Sequence, residues 1–336
     1  MKNNQEICQE NFQSNRENLH KSCVFFRGSP SKIQSYRANL FAERVLQSKF
    51  SQISKYDAGL TKLWEKKMIR AKINGETKEF GEGISILEAC QKEGIEIPTL
   101  CHDERIKACG ACRLCVVEVK GAAREIASCQ TILTDGMEVE THSPKLEASR
   151  KADLRMFARR YPLKDFLLYP EKKFHRMARK YNLSERDFGE PAKHIDDSHT
   201  FIQVDMTRCI DCYACVRICD ELQGQFVWQV INRGGNTHIV PDSFDKFAES
   251  SCVSCGACSD VCPTGALEDK SILKNGVPTD WTKTVCPYCG TGCEMQVGTR
   301  KGKIVQIKPA MKTPVSKGHL CVKGRYGYDF AESNDR

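Results

Sequence analysis

The sequence has 336 residues, 40% of them hydrophobic and 28% charged, with a formal net charge of +8. That length is enough for two or more domains, and no apolar run reaches the ~20 residues of a membrane-spanning helix. The polar N-terminus, MKNNQEICQENFQSNREN, lacks the apolar region of a secretion signal. Of the twenty cysteines, eighteen lie between Cys90 and Cys321, mostly two or three residues apart. Most such neighbours are too close to bridge one another and well suited to thiolate ligation of metal. The expectation is a reduced, cytoplasmic protein whose folding depends on its metal centres.

Charge is uneven along the chain. Residues 1–67 carry twelve Lys or Arg against six acids, and residues 148–181 carry eleven against three. No nucleic-acid motif accompanies these stretches, so a partner subunit or a solvated face explains them better than RNA or DNA. From Ser35 to Lys67, Leu40, Phe41, Val45 and Leu46 cluster at helical steps, and 1–67 reads as an appended helical docking arm. Cys8 and Cys23 have no neighbouring ligand at useful spacing and read as bystanders.

Residues 68–147 open differently. Ile69–Ile73, the turn Asn74-Gly75 and Glu76–Phe80 predict a tight hairpin. Ser85 can cap a short helix over Ile86–Glu93, ended by Gly94, and a strand is predicted over Arg113–Val119. A hairpin, one helix and a Cys-rich loop suggest the small half-open sheet that carries plant-type [2Fe-2S] centres. The ligand spacing is Cys101-x10-Cys112-x2-Cys115-x13-Cys129. Cys90 falls on the helix and reads as a small core residue. Cys109 is ambiguous, because Cys109-x2-Cys112-x2-Cys115 resembles the start of a [4Fe-4S] triad; no fourth ligand follows at short range, which favours Cys109 as a spare.

Residues 148–200 contain no cysteine. Leu154, Phe157 and Tyr161 share one helical face, and Phe174, Met177 and Tyr181 another, as ordinary core packing would have them. His175, His194 and His199 lack partners at metal-site spacing and read as surface or hydrogen-bonded residues.

The span 201–270 begins with a strand, Phe201–Val204, and holds two matched blocks. These are Cys209-x2-Cys212-x2-Cys215-x3-Cys219 and Cys252-x2-Cys255-x2-Cys258-x3-Cys262-Pro263. Each has the spacing of a bacterial-type ferredoxin site, in which the fourth cysteine serves the other cluster. Cys209, Cys212, Cys215 and Cys262 are therefore paired on one [4Fe-4S] cluster, and Cys252, Cys255, Cys258 and Cys219 on a second. Zinc also takes C-x2-C pairs, but two matched four-Cys blocks weigh against it. Between the blocks, Gln225–Val240 reads as a β-hairpin. After a linker around 268–280, the span 278–336 carries Cys286, Cys289, Cys293 and Cys321, with two strands around Lys301-Gly302. Lys323, two residues past the last cysteine, is within reach of a neighbouring anion or cofactor, or is simply solvated.

Over residues 68–330 the chain resembles the N-terminal, electron-transferring part of NAD-dependent or electron-bifurcating formate dehydrogenase catalytic subunits. It resembles, more distantly, the large iron–sulfur subunit of respiratory complex I. CRLCVVEV at 112–119, CVRICDELQG at 215–224 and CPYCGTGCEMQV at 286–297 carry the likeness. The resemblance implies an α+β chain: a plant-type [2Fe-2S] β-grasp domain, a helical linker, a bacterial-type 2×[4Fe-4S] ferredoxin domain and a small β-rich [4Fe-4S] domain. It places Cys101, Cys112, Cys115 and Cys129 on the [2Fe-2S] cluster, leaving Cys109 outside. It also places Cys286, Cys289, Cys293 and Cys321 on a [4Fe-4S] cluster beside a pterin, and Lys323 between that cluster and the pterin. Many relatives hold a further cluster on one His and three Cys. The matching positions here are Tyr161, Asp165, Leu168 and Phe174, which cannot ligate it, so that site is expected to be lost.

The resulting expectation is an electron-wire subunit with one [2Fe-2S] and three [4Fe-4S] clusters. It would connect a molybdenum- or tungsten-bis-pterin formate site on a partner chain to a flavin- and iron–sulfur-containing NAD(H)-reactive subunit or a ferredoxin-reactive one, with no substrate chemistry of its own. The alternatives are an electron-input subunit of a hydrogenase or complex-I-like assembly, a non-catalytic iron–sulfur sensor or scaffold, and a truncated relic.

Overall fold

Ile69, Ala71 and Ile73 alternate with polar neighbours, so one face of the first strand turns into the core. Asn74 and Gly75 both adopt positive φ, 49° and 87°, the backbone that a two-residue hairpin turn demands. The computed structural model describes residues 67–168, 171–191 and 194–335. The arm expected over 1–67, with Cys8 and Cys23, thus lies outside the described residues except for Lys67.

Strands β1 (Met68–Ile73) and β2 (Glu76–Gly81) pair antiparallel from Met68–Gly81 to Ile73–Glu76. Helix α1 (Ile86–Lys92) opens with a capping box: Ser85 Oγ accepts the Glu88 N–H at 3.2 Å, and the Glu88 carboxylate accepts the Ser85 N–H at 2.9 Å. Strands β3 (Val116–Val119), β4 (Ile126–Ala127) and β5 (Glu138–Glu140) complete a five-stranded sheet ordered β2-β1-β5-β3-β4, with β1 and β5 parallel. β3 starts three residues later than expected because Arg113 takes a left-handed φ of 56° between Cys112 and Cys115. Ile73, Ile86, Leu87, Val117 and Leu133 fill the core beneath this sheet, and Cys90 is buried among them as its helical position implied.

Helices α2 (Pro144–Ala158), α3 (Leu163–Leu168) and α4 (Lys173–Lys180) follow. Arg150 of α2 is fully buried and donates to the carbonyls of Leu114 at 3.1 Å, Val116 at 2.8 Å and Thr141 at 2.9 Å. This fixes α2 to the loop and strand that carry Cys112 and Cys115. Leu154, Tyr161, Phe174 and Tyr181 join one buried cluster, with Phe157 and Met177 at its edge.

Strands β6 (Ile195–Asp196) and β7 (Ile202–Asp205) precede helix α5 (Ala214–Ile218). The insertion expected at 225–240 is an antiparallel pair, β8 (Trp228–Ile231) with β9 (His238–Pro241). After α6 (Ala257–Val261), β10 (Leu267–Asp269) closes a sheet ordered β10-β7-β6. The span 268–280 is not a bare linker. It holds the end of β10, helix α7 (Lys270–Asn275) and the start of β11 (Asp280–Val285). β12 (Glu294–Arg300) and β13 (Lys303–Pro309) form the expected pair, and β11 adds an unexpected third strand. All six residues of β11 are exposed, so it lacks the buried-face alternation that would mark it in sequence. Helix α8 (Val322–Tyr326) follows Cys321. The whole is a mixed α+β fold of several small sheets and short helices, and none of its described helices is long and apolar enough to cross a membrane.

Candidate metal centres

The first cysteine group divides into two poles. The Cys101 thiol is hydrogen-bonded to Cys109 and Cys112, which pushes Cys101 up and draws Cys109 down to about 5 and Cys112 to about 6. At the other pole Cys129 is bonded to Cys115, which raises Cys129 and lowers Cys115 to about 7. The Leu100 N–H points at Cys112 Sγ at 3.4 Å, and the Cys112 N–H at Cys101 Sγ at 3.5 Å. The structure therefore brings together all four sequence-predicted residues of this group, with Cys109 as a fifth.

The two ferredoxin-type blocks are one loop built twice. Asp211 and Tyr213 adopt left-handed φ values of 53° and 58°, and the equivalent Ser254 and Gly256 adopt 56° and 73°. The Asp211 N–H is directed at Cys209 Sγ at 3.4 Å, and the Ser254 N–H at Cys252 Sγ at 3.3 Å. Each loop then enters a short helix, α5 or α6, from its second left-handed residue.

Electrostatic neighbours group these thiols crosswise. Cys215 is held well above the usual thiol range, first by burial and then by Cys212, Cys209 and Cys262. Cys258 is raised by burial and then by Cys255, Cys252 and Cys219. Cys212, pushed up to about 12 by burial and then by Cys262, also feels Cys112 and Cys109 of the first group. Crowded, desolvated thiols resist ionising, and a bound cation relieves them.

In the fourth group, Cys293 is raised by burial and by Cys286, Cys289 and Cys321, and its carbonyl accepts the Cys286 N–H at 2.9 Å. Cys289 and Cys321 are exposed, unlike every other cysteine among the described residues. The Thr291 hydroxyl, 3.4 Å from Cys289 Sγ, lowers Cys289, and the exposed Lys323 adds a smaller effect of the same sign.

The positions expected to have lost a cluster hold an aromatic core instead. Tyr161 and Phe174 are fully buried with ring centroids 5.1 Å apart. The Tyr161 hydroxyl bonds His175 Nε2 at 2.8 Å and donates to the Thr264 carbonyl at 3.1 Å. Asp165 pairs with Arg208 at 3.0 Å, and Leu168 is exposed. The other histidines are hydrogen-bonded, as expected. His199 Nδ1 accepts the N–H groups of Phe201 and Ile202, so Nε2 carries the proton and donates to Ser254 Oγ at 3.1 Å. His194 is a surface residue, and its backbone N–H donates to Thr207 Oγ1.

Sequence reasoning missed two arginines, the half-buried Arg217 and the fully buried Arg325. Arg217, between Cys215 and Cys219, donates to Cys109 Sγ at 2.9 Å, to the Cys101 carbonyl at 3.2 Å and to the Lys107 carbonyl. Arg325 binds Asp260 at 2.7 Å and Asp269 at 2.9 Å. Their proximity to cysteines in sequence is a signal; their partners, 56 to 116 residues away, are not.

No three His, Cys, Asp or Glu side chains among the described residues converge on a single-ion site. Four-cysteine groups around a polynuclear cluster need no such convergence. The residues fit iron–sulfur clusters on three counts: four thiols per group, peptide N–H groups aimed at sulfur, and loops whose left-handed turns face the thiols inward. Near the second block, the buried Nε of Arg325 lacks a hydrogen-bond partner and lies beside Gly256, as an anionic group there would favour.

Three family models match the chain in order: a 2Fe-2S iron-sulfur cluster binding domain over residues 66–144, the ferredoxin-like domain of NADH-quinone oxidoreductase subunit 3 over 199–268, and the molybdopterin oxidoreductase Fe4S4 domain over 279–333. The chain is 35% identical over 277 residues to a subunit of an NADH-quinone oxidoreductase of Rhizobium meliloti, covering 80% of this chain and 32% of that protein. It is 33% identical over 275 residues to the alpha subunit of the NADPH-Fe(3+) oxidoreductase of Geobacter sulfurreducens, again covering 80% and 32%. A chain from the crystal structure of an NAD+-reducing [NiFe]-hydrogenase in the H2-reduced state aligns with a TM-score of 0.54 at 27% identity, covering 60% of this chain and 87% of that one. The chain spans about a third of the length of these curated relatives.

Proposed function

We propose that this chain, built from iron–sulfur electron-transfer domains of the molybdopterin-oxidoreductase and complex I type, is an electron-relay subunit of a larger redox complex. The supporting observation is that its cysteine groups form a series. Cys101, Cys109 and Cys112 share a buried cluster with Cys212. The other seven cysteines of the two ferredoxin-type blocks share another with Tyr326 and Val322 of α8, the helix that follows Cys321. Each group thus adjoins the next through packed side chains.

In this reading Cys101, Cys112, Cys115 and Cys129 hold a [2Fe-2S] cluster in a plant-type β-grasp domain. Cys209, Cys212, Cys215 and Cys262 hold one [4Fe-4S] cluster, and Cys219, Cys252, Cys255 and Cys258 a second. Cys286, Cys289, Cys293 and Cys321 hold a third. Such clusters, when bound, accept and release electrons at potentials set by their surroundings. The chain's own residues provide those surroundings. In the first three centres burial of the thiols limits water, peptide N–H groups directed at Cys112, Cys209 and Cys252 offset thiolate charge, and Arg217 and Arg325 fix adjacent loops to one another.

We take a hydrogenase- or complex-I-like assembly with an NAD(P)(H)-reactive subunit as the leading partner class, because the relatives' names and the hydrogenase likeness favour it. A second reading, a formate dehydrogenase with a molybdenum- or tungsten-pterin chain, is favoured by the Fe4S4-domain match and by the exposure of Cys289, Cys321 and all of β11. In that reading Lys323 lies toward the pterin. Native copurification followed by metal analysis distinguishes them: nickel, or an NAD(P)H-reactive partner with neither molybdenum nor tungsten in the complex, supports the first, molybdenum or tungsten the second. Iron should total about 14 per chain, from one [2Fe-2S] and three [4Fe-4S] clusters. A chain purified anaerobically without iron would overturn the relay itself.

A further inference from the structure

The pole of the first centre that holds Cys101 and Cys112 has one thiol too many. A two-iron cluster takes four cysteines, and Cys115 with Cys129 already makes the opposite pole. Three thiols remain at this pole: the Cys112 N–H points at Cys101 Sγ at 3.5 Å, and one nitrogen of Arg217 reaches both Cys109 Sγ and the Cys101 carbonyl.

Cys109 is held in this position by more than chance proximity. Arg217 Nη1 donates to Cys109 Sγ at 2.9 Å and to the Cys101 carbonyl at 3.2 Å, and the guanidinium also binds the Lys107 carbonyl. The Ala111 N–H is bonded to the Cys109 thiol as well. Gly110 turns the Cys109–Cys112 loop at a φ of 67°, and a Cβ there would come within 2.4 Å of Gln130 Oε1, so the loop lies tight against the residue that follows Cys129. Cys90 shows the contrast: it is buried in the apolar core, where helix packing accounts for it.

We propose that Cys109 is a reserve ligand of the first centre, able to take the place of Cys101 on the iron shared with Cys112; this rests on the [2Fe-2S] reading above. In the exchange, Cys109 forms the iron–sulfur bond that Cys101 gives up. Cys109 binds as the thiolate that faces Arg217, and Cys101 is released as a thiolate in its place, so no proton is gained or lost. One thiolate replaces another, so neither the charge on the centre nor its oxidation state changes. Arg217 is placed to hold Cys109 in this position, and it also ties the exchange to the helix between Cys215 and Cys219.

The test uses the full chain, anaerobically reconstituted with iron and sulfide, and reads iron content and low-temperature paramagnetic resonance of the reduced protein. In wild type, a [2Fe-2S] signal is expected; its absence would sink the underlying reading rather than this proposal. Given that signal, Cys101→Ser is expected to keep it at near wild-type intensity with an all-thiolate spectrum. The double variant C101S/C109S is expected to lose it by about tenfold or show serine-oxygen ligation. Equal signals in the two variants, or oxygen ligation already in Cys101→Ser, would overturn the proposal. Should Cys101→Ser not fold, timed alkylation of wild-type holoprotein decides. Exchange predicts that Cys101 and Cys109 are both labelled, at comparable rates well above those of Cys115 and Cys129. Labelling of Cys109 alone would refute it.

Discussion

Arg325 places Nη2 2.9 Å from the Asp269 carboxylate, joining the helix after Cys321 to the strand after Cys262. Both side chains are only 1% exposed, and Nη1 of the same guanidinium holds Asp260, two residues after Cys258, at 2.7 Å. Gln306, Tyr326 and Ser259 complete the hydrogen bonding of Asp269. The C-terminal sheet and the second ferredoxin-type loop are therefore fastened by one buried cation on two buried anions.

Removing that cation should be costly. Arg325→Met would leave Asp260 and Asp269 buried without their countercharge, an effect of about 3–5 kcal/mol. Equilibrium unfolding of the reconstituted chain should show this loss, and a change below about 1 kcal/mol would mean that the pair contributes little.

The same pair gives an acid limb. Burial by itself would raise Asp269, but Arg325 and three hydrogen bonds override it, so its folded pKa lies below the ordinary carboxyl value. A depressed carboxyl contributes stability that is fully present above its unfolded pKa of about 3.9 and fades as pH falls through the folded value. Asp269→Asn should therefore lower stability at neutral pH and flatten the decline below about pH 4. An unaltered acid limb would argue against the assignment.

Gly256 and Tyr213 occupy equivalent positions in the two loops, yet only one tolerates a side chain. A Cβ on Gly256 would lie 2.6 Å from Tyr326 Oη and 2.8 Å from Arg325 Nε, at a φ of 73°. Gly256→Ala should cost at least about 1–2 kcal/mol from left-handed strain, with the clash in addition. Thermal unfolding together with iron retention would measure it; wild-type values in both would show that α8 can yield.

Crossed grouping makes a spectroscopic prediction. Cys262→Ser should perturb the same [4Fe-4S] signal as Cys209→Ser, and Cys219→Ser the same signal as Cys252→Ser. If instead Cys219 and Cys209 report on one signal, each block binds its own cluster and the assignment fails.

Tyr161→Phe removes hydrogen bonds to His175 and to the Thr264 carbonyl from a fully buried position. The expected cost is about 1–3 kcal/mol, with iron content unchanged near 14. About 18 irons per wild-type chain would show that the aromatic core does not replace a cluster after all.

Much of this was readable in one dimension. The paired spacings of Cys209–Cys219 and Cys252–Cys262, the turns at Asn74-Gly75 and Lys301-Gly302 and the cap at Ser85 are local backbone properties, and each is written within a few residues. The helical faces that carry Tyr161 and Phe174 into one buried cluster were legible for the same reason. Tertiary structure alone decided the rest. β11 carries no buried face and so no periodic signal. The parallel pairing of β1 with β5, the anchoring of α2 by Arg150, the bond from Arg217 to Cys109 and the ring around Arg325 link residues dozens to more than a hundred positions apart. Spacing could count five cysteines at the first centre, but only packing showed that three of them, Cys101, Cys109 and Cys112, meet at one pole. Ligand spacing is fixed by the loop that contains it, whereas a buried charge finds its partner only when distant segments close around it and exclude water.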